Sequence, residues 1–375
     1  MFLNELKITQ RVGWAMREKD KTLGKKRITI KDIAEQVGVS YGTVHRALYG
    51  KKGVGEELRN KILRTAAESG YIPNEAAAAL KRKMQRILVA IPGPHAQNRF
   101  FYSHVWQGFR DYANEFGNYN FDIIEIPYYN VSGNRVEEEL ASAYRHYEGD
   151  IDGIIVAGPL SEAAHAALRT FAKKDIAIVM ITDKSSDALA SVLANYEVTG
   201  RLAAELLTGQ LSQGDKVLVL AGDMQVPNHS LVTQGFADYL EEHKTGIECV
   251  YIYAYGDKHI AQIETRIIEL LKEDSSIRAA FSVNARCSVI LSEVIRRQGY
   301  AGKLKVVGSD VFEENVQSMK DGVMQNIICK HPYEQAYQAT KIMFEYLIRG
   351  VVPVQRTHYV ESNVIFNSNL SMYLK

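Results

Sequence analysis

The sequence has few cysteines, no long apolar run and no recognisable export signal. Its three cysteines, Cys249, Cys287 and Cys329, are far apart and lack metal-ligand spacing, which argues against a disulfide framework or a zinc site. No apolar stretch approaches about 18 residues, the length that a transmembrane helix needs. The first 21 residues alternate charged and apolar side chains, unlike a secretory signal. These absences favour a soluble, cytoplasmic protein without a membrane partner.

Two short amphipathic patterns follow within residues 28–48, which read ITIKDIAEQVGVSYGTVHRAL. The first pattern has apolar or small side chains on one face, at Ile30, Ile33, Ala34 and Val37. Gly38 is expected to end this helix, because glycine reaches positive φ without steric strain. Ser40 is a candidate N-cap for a second helix, whose buried face would carry Val44, Ala47 and Leu48. An ordinary helical hairpin would show the same pattern, but the spacing also predicts a helix-turn-helix, whose second helix fits the DNA major groove.

The distribution of charge favours the DNA-binding interpretation. From Lys25 to Arg86 there are 14 Lys and Arg against six Asp and Glu, a net charge of +8. Residues 1–24 carry +2 and the remaining 289 residues carry −9, so that the whole chain is close to neutral at +1. A basic head on an acidic body is expected if the head alone contacts phosphates, whereas a solvated charged face is the alternative.

A third helix and a possible linker come next. The pattern from Glu56 to Ser69 predicts a helix that would bury Leu58, Ile62, Leu63 and Ala66, with Gly70 ending it. Pro73 then blocks continuation of this helix, and four alanines favour a short further helix with almost no apolar face. Such a helix should be stable only when something packs on it, and a plain linker is the alternative.

From Arg86 onward, buried-strand patterns alternate with helical patterns. Strands are predicted at 87–92, 121–127, 153–158, 176–182, 216–222, 278–283 and 305–310. Helices are predicted at 134–147, 161–173, 197–211, 229–243, 258–272, 286–298 and 332–348. The alternation predicts parallel sheets flanked by helices, and this number of units favours two lobes. Ligands in such folds bind outside the carboxyl ends of the strands.

Motifs that would indicate an enzyme are missing from the body. No GxGxxG follows a predicted strand, and neither HExxH nor GxxxxGK followed by Ser or Thr occurs. Asp183, Asp223 and Asp310 follow predicted strands, but no base, nucleophile or metal set stands near them in the sequence. The ten histidines are scattered. We therefore expect no catalysis, no cofactor and no metal.

Together these segments resemble the LacI/GalR family of bacterial transcription regulators over residues 27–375. Residues 28–48 match the family's helix-turn-helix, and GYIPN at 70–74, with the alanine-rich helix ending at Leu80, matches its hinge. Four further segments match its sugar-binding body, which periplasmic binding proteins share: 98–109, 149–158, 282–284 and 305–310. The resemblance implies an α/β fold, with a small all-α DNA-binding head before a two-lobed body of parallel sheets flanked by helices.

The resemblance also implies domain boundaries. The head is expected at 27–72, the hinge helix or linker at 73–85 and the ligand-binding body at 86–375. Within the body, lobe 1 is expected at about 86–183 and 332–350, and lobe 2 at about 184–331 and 351–375. Residues 1–26 have no counterpart in the family pattern; they are expected to be a disordered extension, or the start lies at Met16.

Roles on DNA follow for three groups of residues. Tyr41, Gly42 and Arg46 fall at the family's base-reading positions, and Arg46 can donate two hydrogen bonds to a guanine edge. His45 is a further candidate for base contact, although a solvent-facing histidine is an equal alternative. Ser40, Thr43 and Lys51 are expected to hold phosphates.

The hinge carries the third group, Asn74, Ala77 and Leu80. Leu80 matches the family's minor-groove wedge, which enters a base step and kinks the duplex. The wedge requires two hinge helices side by side, which implies a homodimer on a palindromic operator.

The effector site is expected between the lobes. Asn98, Phe100 and Phe101 match a segment that stacks on a sugar ring and bonds its hydroxyls, although either phenylalanine could instead be core. The other candidates are Ser161, Asn284, Asp310 and Lys330. Asn284 and Asp310 follow strands, where an amide and a carboxylate can bond vicinal hydroxyls.

Several positions depart from the family pattern. Ser161 stands where many members have an acid, Val232 where most have arginine, and Ala285 where an aspartate is usual. Lys330 stands in place of the usual glutamine, with His229 and Asn228 as further polar candidates, which could favour an acidic sugar. The effector is therefore expected to be a sugar or sugar derivative.

These features predict a ligand-gated transcription regulator, more readily a repressor than an activator. A solute-binding or sensor protein without DNA binding is the alternative, but it would not explain the basic head.

Overall fold

The computed structural model describes residues 28–48, 53–69, 71, 84–95, 98–115, 120–130 and 134–374. The chain divides into two compact units, Met1–Ala78 and Ala79–Lys375. The described helices include none that is long and apolar enough to cross a membrane.

The helices and strands that were predicted occur in the predicted order, together with further helices and strands that were not predicted. The helices are α1 (Ile30–Val37), α2 (Tyr41–Leu48), α3 (Glu56–Glu68), α4 (Arg99–Glu115), α5 (Val136–His146), α6 (Glu162–Ala172), α7 (Tyr196–Thr208), α8 (Pro227–Glu242), α9 (Ile260–Glu273), α10 (Ala285–Arg297), α11 (Glu313–Lys320) and α12 (Pro332–Arg349). The strands are β1 (Gln85–Pro92), β2 (Phe121–Tyr128), β3 (Gly153–Ala157), β4 (Ala177–Ile181), β5 (Ala190–Ala194), β6 (Lys216–Leu220), β7 (Glu248–Ile252), β8 (Ile277–Ser282), β9 (Lys305–Ser309), β10 (Asn326–Cys329), β11 (Thr357–Val360) and β12 (Asn363–Ile365).

The head is a three-helix unit. Its first helix begins with a reciprocal cap, because the Thr29 hydroxyl accepts from the Asp32 N–H while the Asp32 carboxylate accepts the Thr29 N–H at 2.6 Å. Gly38 ends that helix at φ 77°, which confirms the predicted turn. The fully buried core residues are Ile33, Val44 and Ile62. Leu63, predicted to be buried, is instead 42% exposed, because Ile62 takes the inward position on α3.

The body contains two sheets, each of six strands within the described ranges. The first has the strand order β11-β5-β4-β3-β1-β2 and is parallel throughout. The second has the order β12-β10-β9-β8-β6-β7, in which β12 alone pairs antiparallel. The predicted two-lobed arrangement of parallel sheets flanked by helices is confirmed.

The strand sequences are continuously apolar because helices cover both faces of each sheet. On β1, Ile87 and Val89 pack with α4 and α12, whereas Leu88 and Ala90 pack with α5 and α6. Successive side chains of a strand point to opposite faces, so a strand covered on both sides needs an unbroken apolar run.

The polypeptide crosses between the lobes three times, and two of these crossovers lie later in the sequence than predicted. Strand β5 (Ala190–Ala194) lies in the first sheet, so the first crossover follows residue 194 rather than 183. Strand β11 (Thr357–Val360) also pairs in the first sheet, so the last crossover follows residue 360 rather than 350. Both strands are short, and β11 forms its ladder only with β5, a partner distant in sequence.

Candidate functional site

The second helix of the head exposes the side chains predicted to read DNA. Tyr41, Gly42 and Arg46 are exposed, whereas Val44 and Ala47 on the opposite face are buried. The His45 ring is half-buried and stacks on Tyr41, with 6.3 Å between the ring centroids. This helix therefore presents one polar and aromatic face that a duplex can reach.

Hydrogen bonds hold both ends of this helix. Ser40 Oγ accepts from the Thr43 N–H at 3.1 Å and lies 2.8 Å from Thr43 Oγ1, so both hydroxyls lie at the N-terminus. Exposed hydroxyls at a helix N-terminus suit a phosphate, because the helix dipole is positive there. At the other end, the Arg59 guanidinium donates to the Ala47 carbonyl at 3.1 Å. Lys51, Asn74, Ala77 and Leu80 lie outside the described residues.

A cavity opens between the two lobes of the body. The space among its walls, including the part open to solvent, is about 680 Å³. Its lining is rich in aromatic and amide side chains and comprises Asn98, Phe101, Tyr102, Pro159, Tyr196, Val226, Asn228, His229, Val232, Tyr255, Val283, Asn284, Ala285, Arg286, Asp310 and Lys330. Five predicted effector residues thus meet there: Asn98, Phe101, Asn284, Asp310 and Lys330.

The second lobe carries a buried ion pair on this wall. Lys330 Nζ lies 2.7 Å from Asp310 Oδ2, and the Lys330 backbone N–H donates to Asp310 Oδ1 at 3.0 Å. Lys330 Nζ also donates to the Ser309 hydroxyl. The side chains are only 7% and 1% exposed. Asp310 therefore neutralises Lys330, so this lysine does not supply the unpaired charge that the sequence suggested for an acidic ligand.

A neutral histidine lies beside the pair. His229 Nδ1 accepts the Asp223 backbone N–H at 3.2 Å, and its ring meets the edge of Tyr255 at 4.8 Å. Burial, followed by the charge of Lys330, lowers the pKa of His229 to about 4. Because Nδ1 is the acceptor, the neutral ring carries its hydrogen on Nε2 and can donate from there.

Asn284 serves both the fold and the cavity. Its Oδ1 accepts the Cys287 N–H at 2.9 Å and so caps α10. Its Nδ2 is buried and has no hydrogen-bond partner among the described residues. A buried amide donor without a partner is unfavourable, so a ligand acceptor at this point would satisfy it.

Because Gly222 has no side chain, His229 and Asn284 can lie close to its backbone. Its φ is +73°, and an added Cβ would lie 2.7 Å from His229 Nδ1 and 2.9 Å from Asn284 Nδ2. We expect Gly222→Ala to destabilise the protein by about 1–3 kcal/mol for the backbone strain alone, and by more because two fixed side chains must move. Urea unfolding would measure this effect.

Gly299→Ala is the matched control. Gly299 has φ +70°, and nothing lies within 4 Å of its added Cβ, so only backbone strain acts there. Equal losses of stability in the two variants would show that the wall around Gly222 is not tightly packed.

The comparisons with known proteins agree with this arrangement. Residues 89–350 match the periplasmic binding protein domain family, and residues 29–74 match the bacterial regulatory proteins of the lacI family. The chain belongs to the LacI family. It is therefore a DNA-binding transcriptional regulator, with a LacI-type head and a periplasmic-binding-protein-like body.

Curated relatives align over most of their length. The LacI-family chain is 25% identical to catabolite control protein A of Priestia megaterium over 347 residues, which cover 89% of this chain and 98% of that protein. It is 24% identical to the ribose operon repressor of Bacillus subtilis over 286 residues, covering 75% and 81%.

Solved structures share the fold of the body. GanP, a glucose-galactose binding protein from Geobacillus stearothermophilus, has a TM-score of 0.63 at 23% identity and covers 77% of this chain and 99% of its own. A periplasmic ribose ABC transporter protein from Conexibacter woesei has a TM-score of 0.65 at 19% identity, with coverage of 77% and 94%.

Two predicted effector residues of this LacI-family body do not line the cavity. Phe100 is buried against the other lobe, stacked on Phe312 with 4.8 Å between centroids, and Ala285 belongs to the same cluster. Beside it, Arg99 of lobe 1 pairs with Glu314 of lobe 2 at 2.5 Å. Phe100 therefore packs between the lobes as a core residue, which was the alternative prediction for it.

Ser161 has a local role. Its hydroxyl accepts the Ala164 N–H at 3.1 Å and caps α6. The cap keeps the hydroxyl on its own helix, and the residue is absent from the cavity wall.

The lining residues that were not predicted include three tyrosines and an arginine: Tyr102, Tyr196, Tyr255 and Arg286. Tyr102 directly follows Phe101, and Arg286 follows Ala285, so both adjoin motifs that did point to the cavity. Tyr196 starts α7 at the first crossover, where its hydroxyl donates to the Thr182 carbonyl at 3.0 Å. No cluster of three or more His, Cys, Asp or Glu in the ranges given above could hold a metal ion.

Proposed function

We propose that this regulator is a repressor that binds a palindromic operator as a homodimer, with an affinity controlled by a sugar or sugar derivative between its lobes. One observation carries this proposal. The same chain has an exposed helix suited to the DNA major groove and an interlobe cavity lined by aromatic rings and amides. We propose a cytoplasmic and non-enzymatic role.

The composition of the cavity supports a sugar. Phe101 and the tyrosines offer flat apolar surfaces for the C–H faces of a sugar ring, while Asn98, Asn228 and Asn284 offer amides for its hydroxyls. The names of two similar proteins, a ribose operon repressor and a glucose-galactose binding protein, point to the same class of ligand.

The arrangement of the lobes supports control by the ligand. A ligand in the cavity contacts both lobes at once, so it favours the interlobe angle that fits it best. We propose that this angle sets the distance between the two hinge segments of a dimer and thereby the affinity for DNA. The hinge residues Asn74, Ala77 and Leu80 lie outside the described residues, so their roles stay predictions.

The test uses the purified full chain. DNA would be selected from a random library, and the affinities for the selected sequence and for a scrambled duplex compared by fluorescence anisotropy at fixed salt. We expect a palindromic site bound at least about 10³-fold more tightly than the scrambled duplex. Equal affinities would overturn the proposal and favour the alternative, a solute-binding protein without DNA binding.

The effector would then be sought by thermal shift with a panel of sugars. A ligand at 100 times its Kd stabilises the fold by about 2.7 kcal/mol, a readily measured shift. The hit is expected to change the affinity for the operator, and the direction of that change distinguishes an inducer from a corepressor.

A further inference from the structure

Arg286 brings a second cation to the cavity wall. It lies in the first turn of α10, two residues after the cap residue Asn284, and it is only 8% exposed. Its guanidinium carbon lies 4.9 Å from the centre of the Tyr255 ring, which orients the group. The sequence pointed to Lys330 as the cation of this site, but Lys330 is already held by Asp310.

The partner of Arg286 is a weak one. Its Nη2 lies 3.0 Å from Asp257 Oδ1, but the Asp257 side chain is 63% exposed. An ion pair with such an exposed member contributes little, because water screens it. Within the described residues, Asp257 is the one carboxylate paired with this arginine.

The charges of the lining therefore do not cancel. Arg286 and Lys330 are the lining cations and Asp310 is the lining carboxylate, so the second positive charge is offset only by the exposed Asp257 outside the lining. The buried Nε of Arg286 and Nδ2 of Asn284 also lack hydrogen-bond partners in the described parts of the chain. This corner thus has unpartnered buried donors and a second cation whose counterion is exposed to solvent.

The pKa of the neighbouring His229 depends on the charges around this corner. Burial and then the charge of Lys330 lower the pKa of His229, Asp223 opposes them, and Arg286 makes the smallest contribution to the lowering. His229 is consequently neutral and donates rather than adding a third positive charge. A ligand at this corner meets donors on several sides.

We propose that the effector is an acidic sugar, a sugar that carries a carboxylate, and that Arg286 binds this carboxylate in place of the exposed Asp257. The inference rests on the proposed function and gives it a ligand class. A guanidinium matches a planar carboxylate through two parallel N–H···O bonds, and one net positive charge balances one carboxylate. A phosphate, with nearly two charges, fits this lining less well.

The test compares matched ligands on the full chain. Isothermal titration calorimetry would measure binding of D-glucose, D-galactose and D-ribose beside their uronic or aldonic acids, with D-glucose 6-phosphate as the phosphate probe. We expect one acid to bind at least about tenfold more tightly than its neutral partner, because a hydrogen bond to a charged group is worth that much or more.

Three variants assign the effect to Arg286. Arg286→Gln is expected to lower the affinity for the acid by about 10- to 100-fold and to leave that of the neutral sugar nearly unchanged. Asp257→Asn is expected to raise the affinity for the acid, since it removes the competing carboxylate. Arg297→Gln is the matched control, because Arg297 lies on the same helix but pairs with Glu264.

The outcomes separate this inference from the proposed function. A neutral sugar that binds more tightly than its acid, or a preference for the phosphate, overturns the acidic-sugar inference while the regulator with a sugar effector stands. Equal losses for acid and neutral sugar in Arg286→Gln also overturn it. If no probe of any kind binds, the proposed sugar effector fails, and this inference fails with it.

Discussion

Arg46→Ala is expected to lower affinity for the selected operator by about 30- to 20,000-fold, with a much smaller effect on random DNA. A bidentate contact between arginine and guanine is worth about 1–3 kcal/mol, and the proposed homodimer would make it once in each half-site. Arg46 is exposed, and its Nε donates to the Gly42 carbonyl at 3.2 Å, which keeps the side chain along the exposed face of α2. Fluorescence anisotropy on both duplexes at fixed salt would measure the two affinities.

Arg64→Ala is the control for charge alone. Arg64 is exposed on α3, so its removal takes the same positive charge from the head at a position not predicted to read bases. It should weaken binding to specific and random DNA by similar, modest factors, as expected for a phosphate contact. If the two variants behaved alike, Arg46 would be a phosphate contact and the predicted base reading would be wrong.

The head was predictable because its signals are local. Gly38 at positive φ, and the apolar positions around Val44, follow from backbone and helix geometry that a short stretch of sequence specifies. Even there, Leu63 was misassigned, because adjacent apolar residues on a helix differ by about 100° in direction and only tertiary packing shows that Ile62 is the one inside.

Strands of the body were predictable where both faces are buried by their own flanking helices. The apolar runs of β1 and β3 are examples. Strands β5, β7, β10, β11 and β12 were missed; all are three to five residues long. Strands β11 and β12 also pair with segments distant in sequence. The misplaced crossovers follow directly from those missing strands.

The cavity was predictable in position but not in its pairings. Asn284 and Asp310 stand at strand ends, which in a parallel α/β fold lie at the ligand edge. Which of Phe100 and Phe101 faces the ligand depends on the rotation of α4, and only the packed structure shows Phe100 against Phe312. Likewise, the pairing of Lys330 with Asp310 joins residues 20 positions apart that no local pattern connects.

That pairing gives the largest expected change in stability. Lys330→Met keeps the apolar stem but removes the charge, leaving the Asp310 carboxylate, 1% exposed, without its cation. We expect a loss of about 3–5 kcal/mol in the free energy of unfolding, the usual effect of removing one partner of a buried ion pair. Urea titration followed by circular dichroism would measure it.

Two further variants show whether burial is the cause. Lys216 pairs with Asp274 at 3.0 Å, but both side chains are about a third exposed, so Lys216→Met should cost no more than about 1 kcal/mol. Adding Asp310→Asn to Lys330→Met removes the uncompensated charge and should restore most of the lost stability, because replacing both members of a buried pair is often nearly neutral. If Lys330→Met cost no more than Lys216→Met, water would be solvating Asp310 in the open cavity. In that event Asp310 would remain available to sugar hydroxyls. The net charge that a ligand meets would then be determined by measuring how neutral and acidic sugars bind to Lys330→Met.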